Sequence, residues 1–198
     1  MTTTADLGCG RKKTPGAFGI DSYPFPGVDL VADLDRTPWP LENARFERIV
    51  CNHILEHVAD PAAFLAELHR IARPGAVVRV VTPHFSAVNS WRDITHRRHL
   101  SVQWYEAVLP EGYLAGRTGG FDLVHSTVTF DKSAWSLLGR TIKALAGLRR
   151  WEKHFAFTFP AVHVVTELRV VKPSPAAPPA PVAPASDAGS RGASTTPG

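Results

Sequence analysis

Sulfur is scarce in this chain: two cysteines, Cys9 and Cys51, and one methionine among 198 residues. Two cysteines do not make the disulfide framework of a small secreted scaffold. Both fall near the expected ends of core strands, so reduced, structural thiols are expected. No apolar run is long enough to cross a bilayer, and no charged leader followed by an apolar stretch opens the chain. The expected protein therefore has no transmembrane segment and is cytoplasmic. The net charge is only +4. Its basic clusters, Arg11-Lys12-Lys13, Arg97-Arg98 and residues 140–153, come without a recognisable nucleic-acid module, so they read as solvated faces. Also missing is any core-forming content in the last 26 residues, where Val182 is the only apolar side chain larger than alanine and no aromatic occurs. Such a segment buries too little to offset its ordering entropy. The expectation is one domain over 1–172 and a disordered Pro/Ala-rich tail over 173–198.

What is present is an alternation of short strands and helices. Strands are predicted over 2–7, 17–21, 28–32, 46–52, 77–82, 121–130 and 162–171. The near-continuous apolar character of 46–52 and 77–82 suits strands covered on both faces. Between them Asp60 is a good N-cap and Pro61 a good first helical residue. Phe64, Leu65, Leu68, Ile71 and Ala72 then recur at helical spacing, and Pro74-Gly75 is the expected stop. A strand, a helix and a further strand in this order imply a parallel pair with a right-handed crossover. Further helices are predicted over 101–109 and 133–150, the second amphipathic, with Leu138, Ile142, Leu145 and Leu148 on one face. Core packing is the preferred use of that face, with an anionic membrane surface as the alternative. The fold class expected is α/β, a three-layer sandwich around a seven-stranded, mainly parallel sheet.

In such a sheet ligands bind beyond the carboxyl ends of the strands, where the strand order reverses. The polar residues of interest fall there: Asp6-Leu7-Gly8-Cys9-Gly10 after the first strand, Asp21 after the second, Asp33-Leu34 after the third, and Asn52-His53 after the fourth. No G-x-G-x-x-G of the dinucleotide binders occurs. The ordered set D-L-G-C-G, G-I-D, V-A-D-L, F-E-R-I-V-C-N-H-I-L-E-H-V and R-I-A-R-P-G-A-V-V-R-V-V-T-P resembles the class I S-adenosylmethionine-dependent methyltransferases, above all the small type-11 domain. The resemblance is dense from Thr3 to about Ser101 and looser over 121–172.

That resemblance implies a Rossmann-like fold, S-adenosyl-L-methionine as cofactor, and a role for each matching residue. Gly8 and Gly10 let the backbone approach the methionine part, with Asp6 organising the loop. Asp21 accepts hydrogen bonds from the ribose hydroxyls. Asp33 and the backbone of Leu34 meet the adenine amino edge. Asn52 and His53 lie beside the methionine moiety and its sulfur. Two departures stand out. Only a short loop fits between Gly10 and Ala17, and the helices that family members carry ahead of the first strand are missing, so the N-terminal region is shortened. A partner subunit covering the front, in a homo-oligomer, is one consequence to expect.

Two histidine patterns remain. His53-Ile54-Leu55-Glu56-His57 matches the H-x-x-E-H of inverted zincins. That chemistry needs the motif inside a long helix, whereas here it leaves a buried strand and meets a new helix start at Asp60-Pro61. No metal is expected, and Glu56 and His57 are expected to begin a turn that shapes the pocket. The second pattern, H-F-S-A-V-N-S-W-R-D-I-T-H-R-R-H, follows the fifth strand and overhangs the acceptor side. It serves as a source of general bases, as a metal site, or as a hydrogen-bonded scaffold, and spacing alone leaves these open. His84 and His99 are the candidates for proton removal, and Arg92, Arg97 and Arg98 suit a small acidic acceptor. No G-x-S-x-G elbow supports a serine hydrolase. The expected activity is O- or N-methylation of a small molecule. A non-catalytic cofactor-binding scaffold and a metal-dependent hydrolase are the competing readings.

Overall fold

The computed structural model describes residues 2–172, so the tail expected over 173–198 lies outside the described residues. Seven strands form one sheet: β1 (Thr4–Leu7), β2 (Phe18–Asp21), β3 (Leu30–Val31), β4 (Phe46–Asn52), β5 (Ala72–Pro83), β6 (Gly120–Thr129) and β7 (His163–Val171). Their order is β3-β2-β1-β4-β5-β7-β6. All neighbours are parallel except β7, which runs antiparallel to both β5 and β6. The order reverses between β1 and β4, which sets the binding crevice beyond the ends of those strands. This is the mainly parallel, Rossmann-like α/β sheet expected.

The crossover from β4 to β5 runs through α1 (Pro61–Ile71). The Asp60 side chain accepts hydrogen bonds from the amides of Ala62 and Ala63, and Pro61 takes the first turn, where a missing N–H costs nothing. Phe64, Leu65, Leu68 and Ile71 pack on Ala5, Leu7, Ile49, Cys51, Val78 and Val80, one face of β1, β4 and β5. Each such side chain contributes about 1.5 to 3 kcal/mol on burial. The helix ends before its expected stop. Ala72 is already extended and pairs with Phe46, because Arg73 precedes a proline and is itself driven out of the helical region.

A second apolar cluster joins Trp151, Val128 and Val164 and lies on the same face of the sheet. The opposite face is polar and half open. It carries Arg48, Arg79, Glu167 and Arg169 at matched register, with Arg48 and Arg169 exposed. The layers are thus unequal, as the short connection between β1 and β2 implies. Over β1 the second layer is only the loop between β1 and β2. It is pinned by the Asp6 carboxylate, which accepts from the Thr14 amide at 2.7 Å, and by the Lys13–Asp29 ion pair at 2.8 Å. The connection from β3 to β4 is held by Arg70, which grips Glu67 at 2.7 Å and donates to the carbonyls of Trp39 and Leu41.

The C-terminal third departs from expectation in two places. Residues 104–108 form a single 3₁₀ turn rather than a helix over 101–109. The helix expected over 133–150 is two, α4 (Ala134–Ala146) and α5 (Leu148–Phe155), broken at Gly147. The expected apolar face is only half used: Ile142 and Leu148 pack against the second cluster, and the closest contact of α4 comes from small residues. Gly139 lies so close to Phe159 that a Cβ would meet it at 2.9 Å, and Ser136 is buried beside it, while Leu138 and Leu145 point outward with Leu145 84% exposed. Two further short helices, α2 (Val88–Arg92) and α3 (Ala115–Thr118), lie between β5 and β6. Among the described residues no helix is long and apolar enough to cross a membrane.

Candidate active site

The carboxyl ends of β1 to β4 open on a cavity of about 350 Å³ lined by Gly8, Asp21, Tyr23, Asp33, Leu34, His53, Ile54 and His57 among others. Gly8 has a left-handed φ of 67°, and a Cβ there would lie 3.1 Å from Ile54, so only glycine keeps both the turn and the opening. Asp21 is 8% exposed. One of its oxygens accepts from the Gly10 amide at 2.8 Å and the other from the Tyr23 amide at 3.0 Å. Each carboxylate oxygen keeps a lone pair free, which suits a vicinal diol. Asp33 accepts from the Asp35 amide and pairs with Arg36 at 3.2 Å, while buried Leu34 holds the Trp39 indole through its carbonyl.

Five of the eight residues predicted for the cofactor therefore line one cavity: Gly8, Asp21, Asp33, Leu34 and His53. Asp6 lies beneath it, 2% exposed and tied to Thr14, and Gly10 contributes its amide to Asp21. Asn52 lines neither this cavity nor the next, and its carbonyl faces Arg79 at 3.4 Å. Burial, followed by the charges of Asp6 and Asp21, pushes the Cys9 thiol up. Burial, with Asp6 and Glu56, does the same to Cys51. Both are buried free thiols.

His53 follows the last residue of β4 at a φ of 55°, a left-handed conformation that histidine tolerates better than most residues but that still costs energy. It forms the wall to a second cavity of about 670 Å³, lined by His53, His57, Pro83, Asn89, Arg92, Asp93, Ile94, His96 and His163. Two cavities sharing the His53–His57 wall can hold two ligands side by side. His163 packs edge-on against His53 with centroids 5.0 Å apart. Burial, then the neighbouring His53, holds its pKa below the ordinary value, so the ring is neutral at pH 7 and can take up a proton. His57, Arg92, His96 and His163 all line this second cavity; the sequence pointed to His57 as part of a pocket-shaping turn and to Arg92 and His96 as part of the segment over the acceptor side, and it gave no signal for His163.

His84 and His99 are placed elsewhere. His84 is fully buried, at 0% exposure. The Ser86 amide donates to its Nδ1 at 3.2 Å, so its Nε2 donates to Glu152 at 3.0 Å and neither nitrogen is spare. His99 stacks on Trp91 at 3.5 Å and bonds Ser90 at 2.9 Å. Neither lines the two cavities. Arg98 is spent on the carbonyls of Leu55 and Val58. The H-x-x-E-H stretch forms a turn rather than a helix.

Residues 5–115 match the family described as a methyltransferase domain. A search of curated proteins gives no match. Among solved structures, a chain of the complex between the Haloferax volcanii Trm112 methyltransferase activator and a methyltransferase superposes with a TM-score of 0.57 at 15% identity, covering 86% of this chain and 83% of that one. An S-adenosylmethionine-dependent methyltransferase from Mesorhizobium loti gives 0.52 at 17% identity, covering 84% and 89%. One from Archaeoglobus fulgidus gives 0.57 at 15%, covering 84% and 85%. These likenesses carry the fold, and the family match spans more than half of the chain. With the strand order and the crevice at its reversal, they make this chain a member of the methyltransferase domain family.

Proposed function

We propose that the protein binds S-adenosylmethionine in the cavity at the ends of β1 to β4 and methylates an oxygen or nitrogen of a small anionic acceptor held in the cavity beside it. The observation that carries this reading is the shared wall: five of the eight residues that the family resemblance assigns to the cofactor line one cavity, and a polar cavity adjoins it across His53 and His57. The fit is chemical. The first cavity lies within the range of about 300 to 1,000 Å³ common for small-molecule sites, and Asp21 offers free lone pairs where a ribose would lie.

When bound, the cofactor supplies a methyl group on a sulfonium centre, and the sulfur–carbon bond breaks as the acceptor–carbon bond forms. The chain's own task is largely positional, since holding two reactants in line and near contact supplies much of such a rate enhancement. Asp21, Asp33 and the Gly8 turn fix one reactant. Arg92 attracts the negative charge of the other. We assign removal of the acceptor's proton to His163, because His84 and His99 have no access to either cavity. In a reducing cytoplasm Cys9 and Cys51 remain thiols and play no part.

Calorimetric titration with S-adenosylmethionine and S-adenosylhomocysteine tests the reading. One equivalent of each should bind, and a panel of small carboxylates and phosphates should include one that releases S-adenosylhomocysteine. No heat at millimolar ligand overturns it. The short loop in place of a crossover helix at residues 11–16 favours one second reading, a cofactor-binding scaffold, for which binding without turnover on any acceptor is the signature.

A further inference from the structure

At the edge of the second cavity, where His57 and His96 line it, lies a cluster that methyl transfer does not itself require. Glu56, His57 and His96 each offer one ligating atom, and the three atoms all lie within 4.8 Å of one another. Glu56 is 1% exposed, and among the described residues its Oε2 is buried with no hydrogen-bond partner. A carboxylate oxygen left in that state is costly unless something positive meets it. The Arg98 guanidinium is committed to the carbonyls of Leu55 and Val58, and His53 addresses only Oε1, at 3.2 Å.

The hydrogen bonds around the two imidazoles set their tautomers. His96 Nδ1 lies 2.8 Å from the carbonyl of Ser90, which can only accept, so Nδ1 carries the proton. His57 Nδ1 lies 3.0 Å from the Thr95 hydroxyl. That hydroxyl gives its one proton to Asp93 at 2.7 Å, so it must accept from His57. Both rings are left with the Nε2 lone pair free, the state that a metal ion needs, and each is oriented from its other nitrogen as metal-binding histidines are. The 3.9 Å from His96 Nε2 to Asp93 is too long to consume that lone pair. The segments are also clasped: the Arg97 amide donates to the Glu56 carbonyl at 2.9 Å, and Arg98 ties residues 55 and 58.

We propose that Glu56, His57 and His96 form a site for a first-row divalent ion of zinc-like preference, open toward the acceptor cavity. Two imidazoles and one carboxylate are a known catalytic zinc donor set, with a further position left for a ligand. Tetrahedral zinc with bonds of about 2.1 Å places its ligands about 3.4 Å apart, so the three side chains close on an ion by moving inward. The open position takes an anionic oxygen of the acceptor beside Arg92. That role rests on the methyltransferase reading; the site itself does not.

The test uses the untagged full chain after dialysis against a chelator, titrated with Zn²⁺ by calorimetry and with Co²⁺ by visible absorption, without cofactor. One equivalent should bind and raise the melting temperature. His57→Ala and His96→Ala should each weaken binding by about a hundredfold or more. Thr95→Val, which keeps the shape and removes only the partner of His57, should weaken it about ten- to a hundredfold. His99→Ala should change nothing. Absence of binding to the folded chain at millimolar metal overturns the proposal, as does one-equivalent binding that Thr95→Val, His57→Ala and His96→Ala leave intact. Asp21→Ala separates the two readings, because it should impair cofactor binding and leave metal affinity unchanged.

Discussion

The two cavities share a wall but are made of different material. The cavity proposed for the cofactor is built from strand ends: Asp21 is the last residue of β2, and Gly8, Asp33 and His53 come just after β1, β3 and β4. The acceptor side is built from the turn at 53–57, the segment 83–96 and the first residue of β7, brought together from three distant parts of the chain. Strand ends of a parallel sheet are fixed by pairing, so they tolerate little variation. Loops that only need to close over a ligand can vary, which is why substrate choice lives on them.

The largest effect tests whether the histidines of the 84–99 segment divide as this contrast implies. Glu152 accepts from His84, from the Val102 amide at 2.7 Å and from Gln103 at 3.3 Å, all away from both cavities. Glu152→Ala leaves buried donors unpaired and should cost about 3 to 5 kcal/mol of stability. Chemical denaturation measures the loss, and cofactor affinity of the protein that remains folded should be unchanged. A fall in affinity that matches the loss of stability would show that the buried clasp and the cavity are one unit.

On the acceptor side, His163→Gln should lower kcat by about a hundredfold with little change in KM, the scale of a lost general base. Arg92→Ala should do the reverse, raising KM for an anionic acceptor about tenfold. A purely structural role for His163 would move stability instead of kcat.

On the cofactor side, Asp21→Ala should weaken S-adenosylhomocysteine about ten- to a hundredfold, since hydrogen bonds to a charged group are worth about 1.5 to 3 kcal/mol. The fold should survive because Asp21 stands at the end of β2. Unchanged affinity would break the assignment of this cavity to the cofactor.

The same contrast explains what could be read without a structure. β4 was legible to the residue because F-E-R-I-V-C-N is an apolar run with abrupt ends, and α1 because Asp60-Pro61 marks its start. The residues that line the strand-end cavity were legible as neighbours because a parallel sheet converts order along the chain into neighbourhood in space. His57, His96 and His163 were not legible as a group, since nothing local says that residues 57, 96 and 163 meet. His84 misled for a related reason: its place just after β5 suggested the cavity, but its partner is Glu152, 68 positions on. In the predicted amphipathic face Ile142 and Leu148 do pack inward, while Gly139 and Ser136 make the closer contact and leave Leu138 and Leu145 outside. A small residue that permits close approach gives no apolar signal.

The smallest effects are in pH, and they separate the two regions by where each loses stability. Burial raises the Glu152 carboxyl, but the donors His84, Val102 and Gln103 together outweigh it and hold the group below its ordinary 4.5. Glu67 behaves alike, with burial outweighed by Arg70 and the Trp39 amide. A carboxyl lowered in the fold stabilises fully above its unfolded pKa and loses that contribution as pH falls through the folded value. His163 is also lowered, from 6.5, by burial first and His53 second. The fold prefers its neutral form, so its contribution is present above pH 6.5 and declines below it. Unfolding free energy should therefore fall in two limbs on acidification, one starting near 6.5 and one near 4.5. His163→Gln should flatten the upper limb alone and Glu152→Gln should reduce the lower one alone. If either substitution flattens both, the acceptor wall and the buried clasp titrate as one network, and the division between them drawn from the cavities is wrong.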